Sequence, residues 1–434
     1  MAVKWDELFG SDFLITLTNE ERRYLALDPI EDSWDVTQYV SKCNVTYVRT
    51  TAYWEGNIIK KVIREEKRLV DIDQGPIWGW IREDDTMIQT ENREKIIPLT
   101  SRGKLKPVNA TNITSVNPSG CTFYFRIDNR SSNHPVTMSI SNYRNCKKIA
   151  IGENEKVASI KNEDDFHSFM QYYISTCPDN YFDRIRVIRT AKHQTVKYKT
   201  GDIFRVEIDR FHYCYGLITG ELRKILKWSD LPKWHSLRKL MTVPIMIRFY
   251  DHIFDSPDLG PEELSNYPLG RLSICSDCDI IWGTHTIVGH KTLTEDDIEF
   301  GLVCTKVMGI NEHITTHTYD MFVNDGIIPN KDGYQLYVEW GLASVMLPFE
   351  CISEKLKSFL DEYHDPHGGV NISIIPDIEK SWYSTKMDLL NPWNSEMREE
   401  LFRCLKLNPD ADFDEFAAAF NGPTKKEILE RLMN

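Results

Sequence analysis

The 434-residue sequence has no hydrophobic run long enough for a membrane-spanning helix, and its first residues form no apolar signal core. Basic residues are outnumbered: 52 Lys and Arg stand against 65 Asp and Glu, and the formal net charge is −13. This excess argues against wholesale binding to nucleic acid or anionic lipid, because both need a positive footprint. We therefore expect a soluble cytoplasmic protein with no membrane contact and no nucleic-acid partner, whose charge is compatible with a basic protein partner.

Cysteine is scarce and scattered, with ten residues in the whole chain, so reduced and mostly buried thiols are expected. Cys275 and Cys278 form a CxxC pair, but a structural zinc site needs two further ligands and the chain has no second pair. Because this CxxC lies among strand-like residues and not at a helix start, a redox role is also disfavoured. The sequence predicts no metal and no other cofactor.

The common catalytic and nucleotide-binding motifs GxSxG, GxxxxGK[ST] and GxGxxG are missing, but two histidine pairs remain. His313 and His317 would share one face of a helix, yet Ile314 occupies the place of the zincin general base. His364 and His367 lie in a turn that also fits a plain helix end. These four histidines are the fallback metal ligands of a hydrolase hypothesis, and otherwise no residue is expected to be catalytic.

Strand patterns dominate the first part of the chain. A hairpin is predicted around the turn at 55–57, and further strands are expected at 121–127, 136–141 and 147–151. A helix is predicted over 162–176, because its apolar residues recur at helical spacing before Pro178.

A second block rich in strand patterns begins near residue 195. Its expected strands cover residues 203–208, 212–218, 243–250, 271–274, 278–282, 285–290 and 334–347. A helix is expected at 353–363, and capping-box spacing in Asp412 with Glu415 and in Thr424 with Glu427 predicts two tail helices. These tail helices bury too little apolar surface to stand alone, so we expect them to dock on the preceding domain.

The sequence thus predicts an α+β fold, mainly antiparallel β, with two β-rich domains, a bridging helix and a helical C-terminal tail. We expect a β-rich N-terminal domain at 1–180 that ends in a helix, a second β-rich domain at 181–380, and the tail at 381–434.

Two motifs at the ends of the stretch from about 195 to 300 carry a family resemblance. Residues 197–204 read Lys-Tyr-Lys-Thr-Gly-Asp-Ile-Phe and are followed by a Tyr-rich return strand, His-Tyr-Cys-Tyr-Gly, at 212–216. Residues 279–290 hold a Trp and end in Val-Gly-His. In this order and spacing, the two motifs resemble the family twenty-six immunity proteins of bacterial polymorphic toxin systems. The resemblance covers about a quarter of the chain, and in residues 1–180 we recognise no family pattern.

The resemblance implies a non-catalytic, cytoplasmic protein that binds and neutralises a protein toxin. Seven family-like residues are expected to hold the fold: Gly201, Asp202, Tyr213, Tyr215, Gly216, Trp282 and Gly289. Toxin nucleases are commonly basic, so the candidate partner contacts are Trp282 and the acidic groups on either side of it, Asp277, Asp279, Glu295, Asp296 and Asp297. Two alternatives stay open, because a module does not fix a function. One is a regulatory or scaffold protein with an immunity-like module, and the other is a His-dependent hydrolase.

Overall fold

A computed structural model gives the architecture of the chain. It describes residues 17–43, 46–68, 78–84, 97–109, 111–112, 121–127, 136–142, 145–151, 160, 163–229, 231, 235–239, 244–307, 335–348, 351–362, 389–390 and 392–433. The chain divides into two compact units. The first unit comprises Met1–Thr195, Glu207–His212 and Trp282–Thr284, and the second comprises Val196–Val206, Tyr213–Ile281 and His285–Asn434. The three-domain division expected from the sequence stays a prediction.

The first unit contains a sheet of four antiparallel strands in the order β1-β2-β3-β4. These strands are β1 (Asp35–Cys43), β2 (Thr46–Glu55), β3 (Ile58–Arg68) and β4 (Trp78–Asp84). The predicted hairpin is confirmed, since Gly56 turns the chain between β2 and β3 with a φ of +60° that glycine adopts freely.

The second sheet of the first unit has three antiparallel strands, β5 (Cys121–Ile127), β6 (Val136–Asn142) and β7 (Lys147–Ile151). The predicted helix is present at Glu163–Ser175, and its apolar face shares one buried core with these strands. The unit also contains a short helix at Asn19–Tyr24, where the sequence has a capping threonine and acidic residues in the first turn, and a helix at Tyr181–Thr190 that the sequence patterns did not predict.

The second unit is built on a five-stranded antiparallel sheet in the order β11-β10-β9-β8-β12. Its strands are β8 (Asp202–Glu207), β9 (Tyr213–Glu221), β10 (Ile245–Tyr250), β11 (Leu269–Cys275) and β12 (Thr286–His290). The central strands are buried along nearly their whole length, and strand β12 forms one edge.

Within its described residues, the second unit also has a three-stranded antiparallel sheet: β13 (Leu302–Val307), β14 (Gln335–Trp340) and β15 (Ala343–Pro348). The single strand predicted at 334–347 is therefore wrong. Gly341 turns the chain with a φ of +63°, so the segment forms a tight hairpin of two strands.

Seven helices lie in the described part of the second unit. They are Leu222–Ile225, Pro261–Leu264, Cys278–Ile281, Glu354–Glu362, Ser395–Cys404, Phe413–Ala419 and Lys425–Met433, and 3-10 turns cover Ser236–Lys239, Glu295–Asp297 and Pro392–Asn394. The strand predicted at 278–282 is wrong, because the backbone N–H groups of Ile280 and Ile281 both donate to the Asp277 carbonyl and wind a helical turn.

The C-terminal helices belong to the core of the second unit. Both predicted capping boxes are present, at Asp412 with Glu415 and at Thr424 with Glu427. Buried residues of the two helices, such as Phe416 and Ile428, share one hydrophobic cluster with residues of the sheets. The overall class predicted from the sequence, α+β with mainly antiparallel strands and a helical C-terminus, is confirmed. No helix in the described ranges is long and apolar enough to cross a membrane.

Candidate functional site

Gly201 lies where three strands of the second unit meet. Its N–H donates to the Ile218 carbonyl of β9 at 2.8 Å, and its carbonyl accepts from the backbone N–H of Lys291, just beyond β12, at 2.8 Å. Its φ is +93°, and a Cβ atom at this position would lie 2.5 Å from the Lys291 carbonyl oxygen and 2.7 Å from His290 Cε1. Only glycine combines this backbone conformation with so close an approach.

Asp202 fixes the start of β8 against the edge strand. One carboxylate oxygen accepts from the Lys199 backbone N–H at 2.9 Å, and the other lies 2.9 Å from Nδ1 of His290. His290 is also the register partner of Asp202 across the β8–β12 ladder. The buried carboxylate therefore ties the entry loop to the edge of the sheet.

Gly216 and Gly289 also mark close approaches. A Cβ atom on Gly216 would lie 2.4 Å from the ring of Phe204, and one on Gly289 would lie 2.7 Å from Pro261. The Phe204 ring thus rests directly on β9, while the helix that begins at Pro261 rests on β12.

Two tyrosines of β9 anchor the segment that follows β10. Tyr213 and Phe254 exchange two backbone hydrogen bonds of 2.8 Å. The Tyr215 hydroxyl donates to the Ser256 carbonyl at 2.8 Å and accepts from the Leu259 N–H at 3.3 Å. These bonds hold the backbone of residues 251–263 in a fixed position on the sheet.

This anchored segment is strongly acidic, and we call residues 251–263 the acidic loop. It contains five Asp and Glu residues and no Lys or Arg. All five side chains belong to exposed residues: Asp251, Asp255, Asp258, Glu262 and Glu263. Residues 251–300 hold eleven acidic and two basic residues, a net charge of −9 out of the −13 of the whole chain. This stretch is therefore more acidic per residue than the chain as a whole, although residues 301–434 carry a further net charge of −10.

The acidic residues predicted to contact a partner differ in their burial and in their hydrogen-bond partners. The Asp277 carboxylate is mostly buried and accepts from the Tyr198 hydroxyl at 2.7 Å. Burial, and then this hydrogen bond, raise the pKa of the Tyr198 phenol, which therefore acts as a donor at neutral pH. Asp279 lies in the first turn of Cys278–Ile281, half exposed, with its carboxylate 3.8 Å from His285 Nε2.

Glu295 and Asp296 are exposed, whereas Asp297 is only 2% exposed. The Asp297 carboxylate accepts from Lys291 Nζ at 2.6 Å and from the N–H of Thr294 at 2.8 Å, and it completes a capping box with that threonine. Glu295 and Asp296 can thus face a partner, while Asp297 holds the local turn.

Trp282 is 39% exposed and lies in a firmly held turn of the first unit. Gly283, with a φ of +68°, accepts a hydrogen bond from Lys147 Nζ through its carbonyl, and the Thr284 hydroxyl donates to the Cys146 carbonyl at 2.6 Å. An exposed indole on a fixed backbone loses little conformational entropy on binding, which is typical of an interface anchor.

A comparison with known protein families tests the resemblance that the sequence motifs indicate. Residues 199–311 match the family model of Immunity protein 26. The resemblance predicted over residues 195–300 is thereby confirmed, and the matched residues cover about a quarter of the chain. No curated protein and no solved structure was found to match the chain.

The matched segment, residues 199–311, includes the sheet strands β8 to β12 and the whole acidic loop. Sequence reasoning overlooked this loop, although the signal was present in the composition: five acidic residues and no basic one within residues 251–263. The anchoring contacts from Tyr213 and Tyr215 could not be read from the sequence, because they join residues about forty positions apart in the chain.

The CxxC of the matched segment lies in a different setting from the one predicted. Cys275 ends β11, and Cys278 begins a short helix, so the expectation that both lie among strands is wrong for Cys278. Burial, and then the charges of Asp279 and Asp277, raise the pKa of the Cys275 thiol to about 12. A thiol that stays protonated is a poor nucleophile.

The fallback histidines His313, His317, His364 and His367 lie outside the described residues. Within the ranges that the structure describes, no group of three or more His, Cys, Asp or Glu side chains is placed to hold a metal ion.

Proposed function

We propose that this chain is an immunity protein that binds a basic protein toxin in the cytoplasm and neutralises it without catalysis. The observation that carries the proposal is the match of residues 199–311 to Immunity protein 26. An immunity role requires a binding surface and no reactive group, and the best candidate surface is the acidic loop of the matched segment.

The physical chemistry of the acidic loop supports a basic partner. Five exposed carboxylates on one short segment create a local negative potential that attracts a positively charged surface over a distance of about 10 Å at 0.1 M ionic strength. Because Tyr213 and Tyr215 fix the backbone of the loop, these charges are already positioned before binding. Pre-positioned charges accelerate association and select against partners of the wrong sign.

In this proposal, residues other than those of the acidic loop slow the dissociation of the bound toxin. In known interfaces, a few well-packed aromatic or charged residues dominate the binding energy, and Trp282 has the exposure and the fixed backbone that such an anchor needs. We propose Asp279, Glu295 and Asp296 as further partner contacts on the strength of their exposure, whereas Asp277 and Asp297 are mostly buried and already engaged by Tyr198 and by Lys291 and Thr294.

A second candidate function is a regulatory or scaffold role, which is favoured by the extent of chain outside the match. About three quarters of the sequence, including residues 1–195, lie beyond residues 199–311. In that case the immunity-like module would bind a partner other than a toxin.

Co-expression separates the two functions. Each reading frame that flanks the gene of this chain is expressed in a bacterial host, alone and together with this chain. We expect one product to arrest growth alone and to be tolerated when this chain is present, because the complex blocks the toxin. Continued growth arrest in the presence of the folded chain, or the absence of any toxic neighbour, would contradict the immunity role and favour the scaffold.

A further inference from the structure

Residues 97–108 of the first unit form a small hairpin, which we call the basic hairpin. The Thr100 N–H donates to the Lys104 carbonyl at 2.6 Å, and the Lys106 N–H donates to the Pro98 carbonyl at 2.8 Å. The two ends of the hairpin, Ile97 and Val108, are buried in a core with residues of β2 and β3. Both ends of the hairpin are therefore anchored in this core.

Two leucines of the basic hairpin are exposed side by side. Leu99 is 52% exposed and Leu105 is 40% exposed, and the two residues are bridge partners across the hairpin. Cross-strand partners have Cβ atoms about 5 Å apart on the same face, so these side chains form one apolar contact surface. Single exposed leucines are ordinary, whereas this adjacent pair forms a small apolar patch that a binding surface can cover.

The charge of the hairpin opposes that of the chain. Arg102, Lys104 and Lys106 are exposed, and residues 97–108 contain no Asp or Glu. Three cationic residues thus accompany the leucine pair in a protein whose formal net charge is −13. The hairpin is therefore a local positive site on a chain of net negative charge.

We propose that the basic hairpin binds the surface of an anionic lipid bilayer. The leucines would enter the boundary between headgroups and acyl chains, while the flexible Lys and Arg side chains reach the lipid phosphates. A bilayer offers apolar depth and negative charge at the same place, which matches both features of the hairpin. Nucleic acid matches only the charge, because residues 97–108 contain no aromatic side chain on which bases could stack. This site is independent of the toxin-binding surface proposed above.

Vesicle co-sedimentation tests this proposal with the full-length protein. Vesicles of phosphatidylglycerol and phosphatidylcholine in equal parts are expected to sediment the protein, and pure phosphatidylcholine vesicles are expected to bind at least ~10-fold more weakly, because the headgroup charge is gone. Binding to the anionic vesicles should fall as salt is added, since the three cationic side chains are exposed to the solvent.

Two sets of variants distinguish the contribution of the cationic side chains from that of the inserted leucines. The triple variant Arg102→Gln, Lys104→Gln, Lys106→Gln is expected to lower the partition coefficient about 100-fold, since each basic residue contributes about fivefold near an anionic surface. The double variant Leu99→Ser, Leu105→Ser should lower it at least ~10-fold through lost apolar burial. In a Leu99→Trp variant, the new indole should shift its emission to shorter wavelength when anionic vesicles are added.

The matched control combines Val36→Ser, Val187→Ser and Arg186→Gln, which alter exposed residues of the first unit outside the hairpin. This control is expected to bind vesicles like the unmodified protein. Absence of binding to anionic vesicles, or an equal loss in the control, would overturn the proposal. A second outcome would also overturn it. If the charge variant lost binding both to vesicles and to a single-stranded RNA oligonucleotide, while the leucine variant bound vesicles normally, the hairpin would bind polyanions without inserting into the bilayer.

Discussion

Gly201→Ala is expected to lower the free energy of unfolding of the second unit by about 3–5 kcal/mol, the sum of backbone strain and steric overlap. The φ of +93° is a conformation that alanine adopts only with strain. The added Cβ would also lie 2.5 Å from the Lys291 carbonyl oxygen, a backbone atom that cannot move without breaking the contact between β8 and β12.

Gly103→Ala supplies the matched control. Gly103 has a φ of +73°, but no atom lies within 4 Å of a Cβ built on it. This variant should therefore show the strain alone, about 1–2 kcal/mol. Urea unfolding followed by tryptophan fluorescence gives both values. Equal losses in the two variants would show that the close approach at Gly201 contributes nothing.

Arg210→Ala is expected to destabilise the first unit by about 3–4 kcal/mol, because a buried charge-assisted network loses its donor. Arg210 is 2% exposed. Its guanidinium group donates to the Tyr173 carbonyl at 2.5 Å and to the Thr176 hydroxyl at 3.0 Å, and its central carbon lies 3.7 Å from the centre of the Tyr173 ring. The truncation would leave the C-terminal end of Glu163–Ser175 without these contacts.

Arg186→Ala is the control for this prediction. The Arg186 side chain is 72% exposed and pairs with Asp183 at 2.9 Å on the helix surface, so its removal should cost less than about 1 kcal/mol. Hydrogen exchange of the amides in Glu163–Ser175 is the readout, and it should become much faster in the Arg210 variant only. Unchanged protection after Arg210→Ala would show that the network does not hold the helix.

The elements that were predicted correctly from the sequence are those determined by residues close together in the chain. The turn at Gly56, the helix Glu163–Ser175 and the capping box at Asp412 each depend on residues within a few positions of one another. The wrong strand at 278–282 rested on a short apolar run, and such a run fits a strand or a helical turn equally well. Residues 334–347 form two strands and not one because the chain turns at Gly341. The positive φ of this glycine cannot be read from the sequence.

The candidate site could be predicted only in part, because it depends on contacts between distant residues. Gly201 and Gly216 could be marked as turn or close-approach positions, since glycine within a strand pattern signals one. The atoms that approach Gly201 belong to His290 and Lys291, about ninety residues away, and no local rule identifies them. Asp297 is a different case: its partners Thr294 and Lys291 lie within six residues of it in the chain, yet sequence reasoning grouped it with the exposed Glu295.

The most direct test of the central claim is the association rate of this chain with the toxin found by co-expression, measured over a series of ionic strengths. The decisive variant carries Asp251→Lys, Asp258→Lys and Glu262→Lys in the acidic loop. Its control carries Glu396→Lys, Glu399→Lys and Asp410→Lys, which change the net charge equally at exposed positions outside residues 199–311.

We expect the loop variant to associate about 10–100-fold more slowly at low salt, with a weaker dependence on salt, because electrostatic steering by the loop is reversed. Its Tm should stay close to that of the unmodified protein, since the altered side chains are exposed. The control should retain most of the rate. A folded loop variant with the association rate and salt dependence of the control would contradict toxin binding through the acidic loop.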